Sequence, residues 1–152
     1  MNPHYFQLAT TADITTILHL MPIYYNFDHL NFDKTKAHQA LTALFSSSEN
    51  GRLWLLMDTT EKQAIGYLTL TFGFSIEYGG KVALIDELFV QENHRGKGIG
   101  SAAIQNAKEE CKKLGINTLR LEVTKSNQSI NSLYRKLGFM DLGRSLLIYH
   151  QT

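Results

Sequence analysis

The chain is short of sulfur, of net charge and of long apolar runs. Its 152 residues include one cysteine, Cys111, so no internal disulfide and no thiolate zinc cluster can form. Lysine and arginine number 15 against 14 acids, a formal net charge of +1. That near-balance excludes a broad electrostatic grip on nucleic acid or on an acidic membrane. No hydrophobic stretch approaches the ~20 residues a membrane-spanning helix needs. The start, Met1-Asn2-Pro3-His4-Tyr5, lacks the basic-then-apolar layout of a signal peptide. The six histidines are scattered without ligand spacing, so no metal is expected. Together with 43% hydrophobic and 19% charged residues, these absences describe one cytoplasmic globular domain over residues 1–152.

What is present is an ordered series of elements. His4 to Ala9 reads as a strand. Thr11 or Asp13 caps a helix running toward Tyr25, with Ile14, Ile17, Leu18 and Met21 at helical spacing and Pro22 set to kink or end it. Asp33 caps a second helix with Ala37, Ala40, Leu41, Leu44 and Phe45 on its apolar face. Arg52 to Asp58 and Ala64 to Phe74 are β-rich and joined by a polar turn, the pattern of an antiparallel pair. A turn at Gly79-Gly80 leads into the strand Val82 to Val90. Beyond it an amphipathic helix carries Ile99, Ala102, Ala103, Ala107, Cys111 and Leu114 on one face. A strand from Thr118 to Thr124, a short helix capped by Ser126 or Asn127, and strands around Phe139 to Leu142 and Ser145 to His150 complete the chain. The order predicts an α/β domain with a mixed, mainly antiparallel sheet and about four helices.

The most informative segment is the turn Arg95-Gly96-Lys97-Gly98-Ile99-Gly100 between a strand and a helix. Glycines remove the side chains that would bar close approach, so successive amides can converge on an anion at the positive end of the helix. Each such contact contributes ~0.3 to 2 kcal/mol, so several together could anchor a diphosphate. A Walker A loop is excluded, because Gln91 stands where its first glycine belongs and Gly98, not Ser or Thr, follows Lys97. Gly98-x-Gly100-x-x-Ala103, with Glu122 downstream, matches a dinucleotide fingerprint. That motif turns straight from strand into glycine, however, whereas Gln91 to Lys97 intervene here.

The turn resembles the Q/R-x-x-G-x-G/A signature of the GNAT superfamily of N-acetyltransferases, preceded by the strand Ile85-Asp86-Glu87-Leu88-Phe89-Val90. Leu121-Glu122-Val123-Thr124, Asn127 and Leu133-Tyr134-Arg135-Lys136-Leu137-Gly138-Phe139 resemble the closing half of the same fold. The resemblance implies a sheet with a central, splayed parallel strand pair. It implies acetyl-CoA as co-substrate, its diphosphate on the amides of Arg95, Gly96, Lys97, Gly98, Ile99, Gly100 and Ser101, its pantetheine arm along Leu88, Phe89 and Val90, and Asn127 touching the cofactor. Direct transfer to an amine would follow. An alkylamine of pKa ~10 is neutral in only about one molecule per thousand at pH 7, so a base must free its lone pair. Asp86, acting through water, is the favoured base and Glu87 its alternate; as strand neighbours they are expected on opposite faces. Tyr134 would protonate the departing thiolate.

Plainer roles compete with these. Tyr134 on an apolar helix face fits a core residue, Asp86 and Glu87 fit salt-bridge partners, and Asn127 fits a simple cap. Cys111 reads as packing, and His94 as a solvated loop residue. For the acceptor, the aromatic loop from Tyr24 to Asp33, with Tyr24, Tyr25 and Asp28, suggests a surface that wraps a small cation; the resemblance implies that this loop and the turn at Glu77 border the acceptor cleft. Asp86-Glu87 before Leu-Phe-Val also resembles diamine and polyamine acetyltransferases. A small-molecule amine is the first expectation and a protein amino group the second; a non-catalytic acyl-CoA sensor is the rival class. Pairing of a C-terminal strand edge across a homodimer is a further expectation.

Overall fold

The structure is a computed structural model that describes residues 4–152. Its contacts divide into two units, one through Glu122 and one from Val123 to Thr152.

In the first unit a five-stranded sheet runs in the order β1 (His4–Leu8), β2 (Gly51–Asp58), β3 (Gln63–Ser75), β4 (Gly80–Val90) and β5 (Leu119–Leu121). The first four strands are successive antiparallel neighbours, and β5 pairs parallel to β4. Leu53 and Leu55 of β2, with Tyr67 of β3 and Phe89 of β4, pack on Ile17, Leu18, Leu20 and Met21 of α1 (Ile14–Phe27) and Ala37 and Leu41 of α2 (Lys34–Ser46). Strand alternation sends Trp54 and Leu56 to the other face. The buried stripe Ile99, Ala103, Ile104, Ala107 and Cys111 of α3 (Ile99–Lys113) packs against the sheet. Cys111 is therefore a packing residue, as its place in the stripe predicts.

Local chemistry sets the helix boundaries. Thr10, rather than Thr11, opens a capping box with Asp13 around the single turn Thr11–Asp13 that precedes α1. Pro22 sits inside α1 and does not end it. Asp33 caps α2 by accepting from the Lys36 amide at 3.0 Å.

In the second unit, α4 (Gln128–Lys136) is capped by Asn127, which accepts from the Ile130 amide at 3.2 Å. The Tyr134 ring meets Phe139 edge-on, centroids 6.0 Å apart. The strands expected at Phe139 to Leu142 and Ser145 to His150 do not form; residues 139–152 are irregular. Their β-favouring residues supply propensity, but a strand needs a ladder partner, and Leu146, Leu147, Ile148 and Tyr149 stay exposed. The strand expected from Thr118 to Thr124 is likewise shortened to Leu119–Leu121.

Candidate active site

Two features of the first unit converge on β4. One is the break in its pairing with β5. The parallel register holds Ala83 to Leu119, Leu84 to Arg120 and Ile85 to Leu121, then stops. From Asp86 to Val90 that edge of β4 has no ladder partner among the described residues. Backbone groups left over by such a separation can bond an extended ligand.

The other feature is the turn after β4. A short 3-10 turn, Glu92–His94, delivers the chain to Arg95. Gly96 and Gly98 then take φ of 73° and 79°, left-handed values that cost an L side chain about 1 to 2 kcal/mol. These reversals bring the chain into α3, whose first backbone bond runs from the Ala102 amide to the Gly98 carbonyl at 3.0 Å. The amides of Ile99, Gly100 and Ser101 thus lie ahead of the ladder. Asp33 and Asn127 cap α2 and α4 with side-chain oxygens, whereas Gly98 leads α3 with none. A Cβ built on Gly96, Gly98 or Gly100 would meet nothing within 4 Å. The turn is an open cradle of donors, which suits a diphosphate.

Its cations are differently employed. Arg95 donates from Nε to the Val90 carbonyl at 2.7 Å, and its guanidinium lies 4.2 Å from the centre of the Phe27 ring and 5.9 Å from that of Phe89. Lys97 donates from Nζ to the Asn93 carbonyl at 3.2 Å. The backbone is the part of the turn left open.

The acids sit at a β-bulge. Thr69 faces Glu87 and Leu70 faces Ile85, leaving Asp86 as the extra residue on β4. The bulge interrupts the alternation that predicts opposite faces for the two carboxylates. Both charges act on the same hydroxyls, pushing up those of Tyr24 and Tyr25 behind the larger effect of burial. Glu87 accepts from the Tyr25 hydroxyl at 2.6 Å and the Tyr67 hydroxyl at 3.0 Å. Burial raises its carboxyl above the ordinary glutamate range, against the lowering effect of those two bonds. Burial likewise raises Asp86, although the residue keeps an exposed face.

Aromatic rings fix this corner. Tyr24 packs edge-on against Tyr25 and Tyr67, with centroids at 5.5 and 6.3 Å, and Tyr25 against Phe32 at 5.4 Å. Asp28 stands close enough for its charge to push the Tyr24 hydroxyl up as well. The structure therefore gathers Tyr24, Tyr25, Asp28, Asp86 and Glu87. It does not bring Glu77 there: the hairpin closes at Ser75 opposite Gly80, seven residues before Glu87 and ~23 Å along the strand. In the second unit, burial raises the Tyr134 hydroxyl.

Three residues escaped the sequence reading. Tyr67 is fully buried and its alternation marks only a core position. Asp58 is marked by the sequence only as the end of a strand. His94, expected in solvent, is 4% exposed. Only its adjacency to Arg95 could have drawn attention to it.

The profile of the Acetyltransferase (GNAT) family matches residues 17–139, from α1 through the end of the second motif block. The chain belongs to that family. A crystal structure of an integron cassette protein from the mobile metagenome of Cole Harbour salt marsh superposes with a TM-score of 0.85 at 34% identity, covering 97% of this chain and 90% of that one. The thialysine N-epsilon-acetyltransferase of Bos taurus is 33% identical over 78 residues, 51% of this chain and 45% of its own. The streptothricin acetyltransferase of Streptomyces lavendulae is 35% identical over 68 residues, 45% and 36% of the respective chains. This GNAT chain thus aligns with less than half the length of those two curated relatives.

Proposed function

We propose that this GNAT protein is an acetyl-CoA-dependent N-acetyltransferase whose acceptor is a primary amine of a small molecule. The observation that carries the reading is the glycine-led, side-chain-free start of α3, with open space above Gly96, Gly98 and Gly100, in a chain of this family. Acetyl-CoA would lie there with its diphosphate against the amides from Arg95 to Ser101 and its pantetheine arm along Leu88, Phe89 and Val90, where β4 has no ladder partner among the described residues; Asn127 is assigned to the cofactor by its place in the family motif alone. When bound, it supplies an acyl thioester.

The residues of this chain do the rest. An ammonium group is drawn to the negative corner made by Asp86, Glu87 and Asp28 beside Tyr24 and Tyr25. Asp86 takes the proton through water; a carboxyl raised by burial is a stronger base than an ordinary aspartate. Glu87, held by two hydroxyls, keeps the local field negative. The freed lone pair attacks the acetyl carbonyl, an amide on β4 near Phe89 or Val90 stabilises the oxyanion, and the carbon–sulfur bond breaks. Tyr134, assigned by its place in the family motif, gives a proton to the thiolate; the second proton of the acylated nitrogen leaves through water and restores the tyrosine, and Asp86 passes its own proton to solvent. A hydroxyl raised by burial is fully protonated at neutral pH, as an acid must be.

The two curated relatives act, by name, on thialysine and on streptothricin, which supports a small amine over a protein amino group. Thiol release from acetyl-CoA, measured across polyamines, lysine analogues, aminoglycosides and peptides, tests the reading. Turnover confined to small amines is expected. Acetylation of peptides alone would replace the acceptor class, and tight acetyl-CoA binding with no turnover on any acceptor would identify a sensor.

A further inference from the structure

Outside the corner just described, titratable side chains converge where β2 ends. Asp58 is 7% exposed and His94 4%. Asp58 divides its two oxygens. Oδ1 accepts from the Thr60 amide at 2.7 Å and the Glu61 amide at 2.8 Å, closing the turn to β3. Oδ2 lies 3.7 Å from His94 Nε2 and 3.7 Å from His4 Nδ1. Glu61 presents Oε2 to the same His94 nitrogen at 3.7 Å. The other His94 ring nitrogen is 2.8 Å from Asn93 Oδ1. Burying an imidazole beside a carboxylate is costly unless each satisfies the other, so this grouping does not assemble by default.

Its location gives it a use. His94 closes the 3-10 turn that delivers the chain to Arg95, and the Arg95 amide bonds back to the Glu92 carbonyl at 3.1 Å. Gln91, one residue ahead of that turn, is tied by its amide to the Ile65 carbonyl of β3 at 2.8 Å. His4 also lines, with Phe6, Lys97, Gly98 and Ile99, a small cavity beside the start of α3. Beyond His94 the backbone reverses twice, at Gly96 and Gly98, and glycine has little rigidity of its own.

We propose that Asp58 and His94 are positioning residues for the donor diphosphate: they clamp the chain entering Arg95–Gly100 to the β2–β3 turn and so fix where its amides point. This rests on acetyl-CoA binding at that turn. Neither residue belongs to the turn Arg95–Gly100 or to the acid corner, so the pair acts through the backbone it holds.

The test compares acetyl-CoA with S-acetylpantetheine, which carries the same thioester but no nucleotide diphosphate, using the best amine of the acceptor panel. Asp58→Asn keeps an oxygen for the Thr60 and Glu61 amides while removing the charge facing the imidazoles; His94→Gln removes one imidazole. Each variant should raise KM for acetyl-CoA about tenfold with kcat within about twofold, and leave kcat/KM for S-acetylpantetheine within about twofold. Equal losses with both donors would mark plain destabilisation and overturn the clamp, as would unchanged kinetics with both. If Asp58→Asn fails to fold, His94→Gln carries the same comparison. A wild-type protein that does not prefer acetyl-CoA over S-acetylpantetheine would remove the diphosphate reading itself, and the clamp with it.

Discussion

At the scale of single residues, the corner around Glu87 makes the sharpest prediction. Its carboxyl is raised in the folded state by burial, so the native protein holds that proton more tightly than the unfolded chain does. Stability from this group is therefore fully present below the ordinary glutamate pKa of ~4.3 and declines as pH rises through the raised folded value. Glu87→Gln removes that titration. In urea melts from pH 4 to 7, wild type should lose ground relative to Glu87→Gln as pH increases; a constant difference would show that the carboxyl is not raised. Tyr134→Phe addresses the acid: kcat should fall about 10²-fold, with KM for acetyl-CoA within about twofold. Equal kinetics would remove Tyr134 from the mechanism. The acids and the aromatic loop are legible in the sequence as residue types. Their grouping is not, because the bond from Tyr25 to Glu87 joins residues 62 apart in the chain and depends on the bulge at Asp86.

At the scale of elements, most local signals are legible where local chemistry decides, although the first cap falls one residue early, at Thr10. Asp33 and Asn127 are caps in the sequence and caps in the structure. The glycine turn follows from spacing, and so does most of the α3 stripe, where Ile104 is buried in place of the expected Ala102, and Leu114 is left exposed because the helix ends at Lys113. The failures lie where a distant partner decides. A β-rich run such as Ser145 to His150 becomes a strand only beside another strand, and burial of His94 depends on β2 and the turn after it. Two glycine replacements separate folding from binding. Gly98 has φ of 79°, so Gly98→Ala should lower stability by about 1 to 2 kcal/mol. Gly100 lies in α3 at ordinary helical φ with free space at its Cβ position, so Gly100→Ala should hold or raise stability by up to about 1 kcal/mol. It should nonetheless raise KM for acetyl-CoA about tenfold, the equivalent of ~1.4 kcal/mol of lost contact. Thermal melts and donor saturation curves measure the two effects separately; an unaltered KM would mean that nothing approaches that backbone.

At the scale of the molecule, the family assignment rests on the match over residues 17–139, and the α/β class follows from the order of elements. Binding at a preformed cradle stabilises the whole fold: at 100 times Kd, acetyl-CoA should add ~2.7 kcal/mol and raise Tm by about 5 to 10 °C. Scanning calorimetry with acetyl-CoA and with acetate at equal concentration checks this, and a Tm that moves with neither would exclude tight occupancy. The same measurement on Asp58→Asn should show a smaller rise.

The stacking of Arg95 on Phe27 joins the two proposed seats through one contact. Phe27 is the last residue of α1 and lies within the Tyr24 to Asp33 segment proposed for the amine, while Arg95 opens the segment proposed for the nucleotide. On the proposed assignments one guanidinium borders both seats. Thermodynamic linkage then makes the two guests answer to each other: whatever factor the first to arrive applies to the grip on the second, the second applies in return.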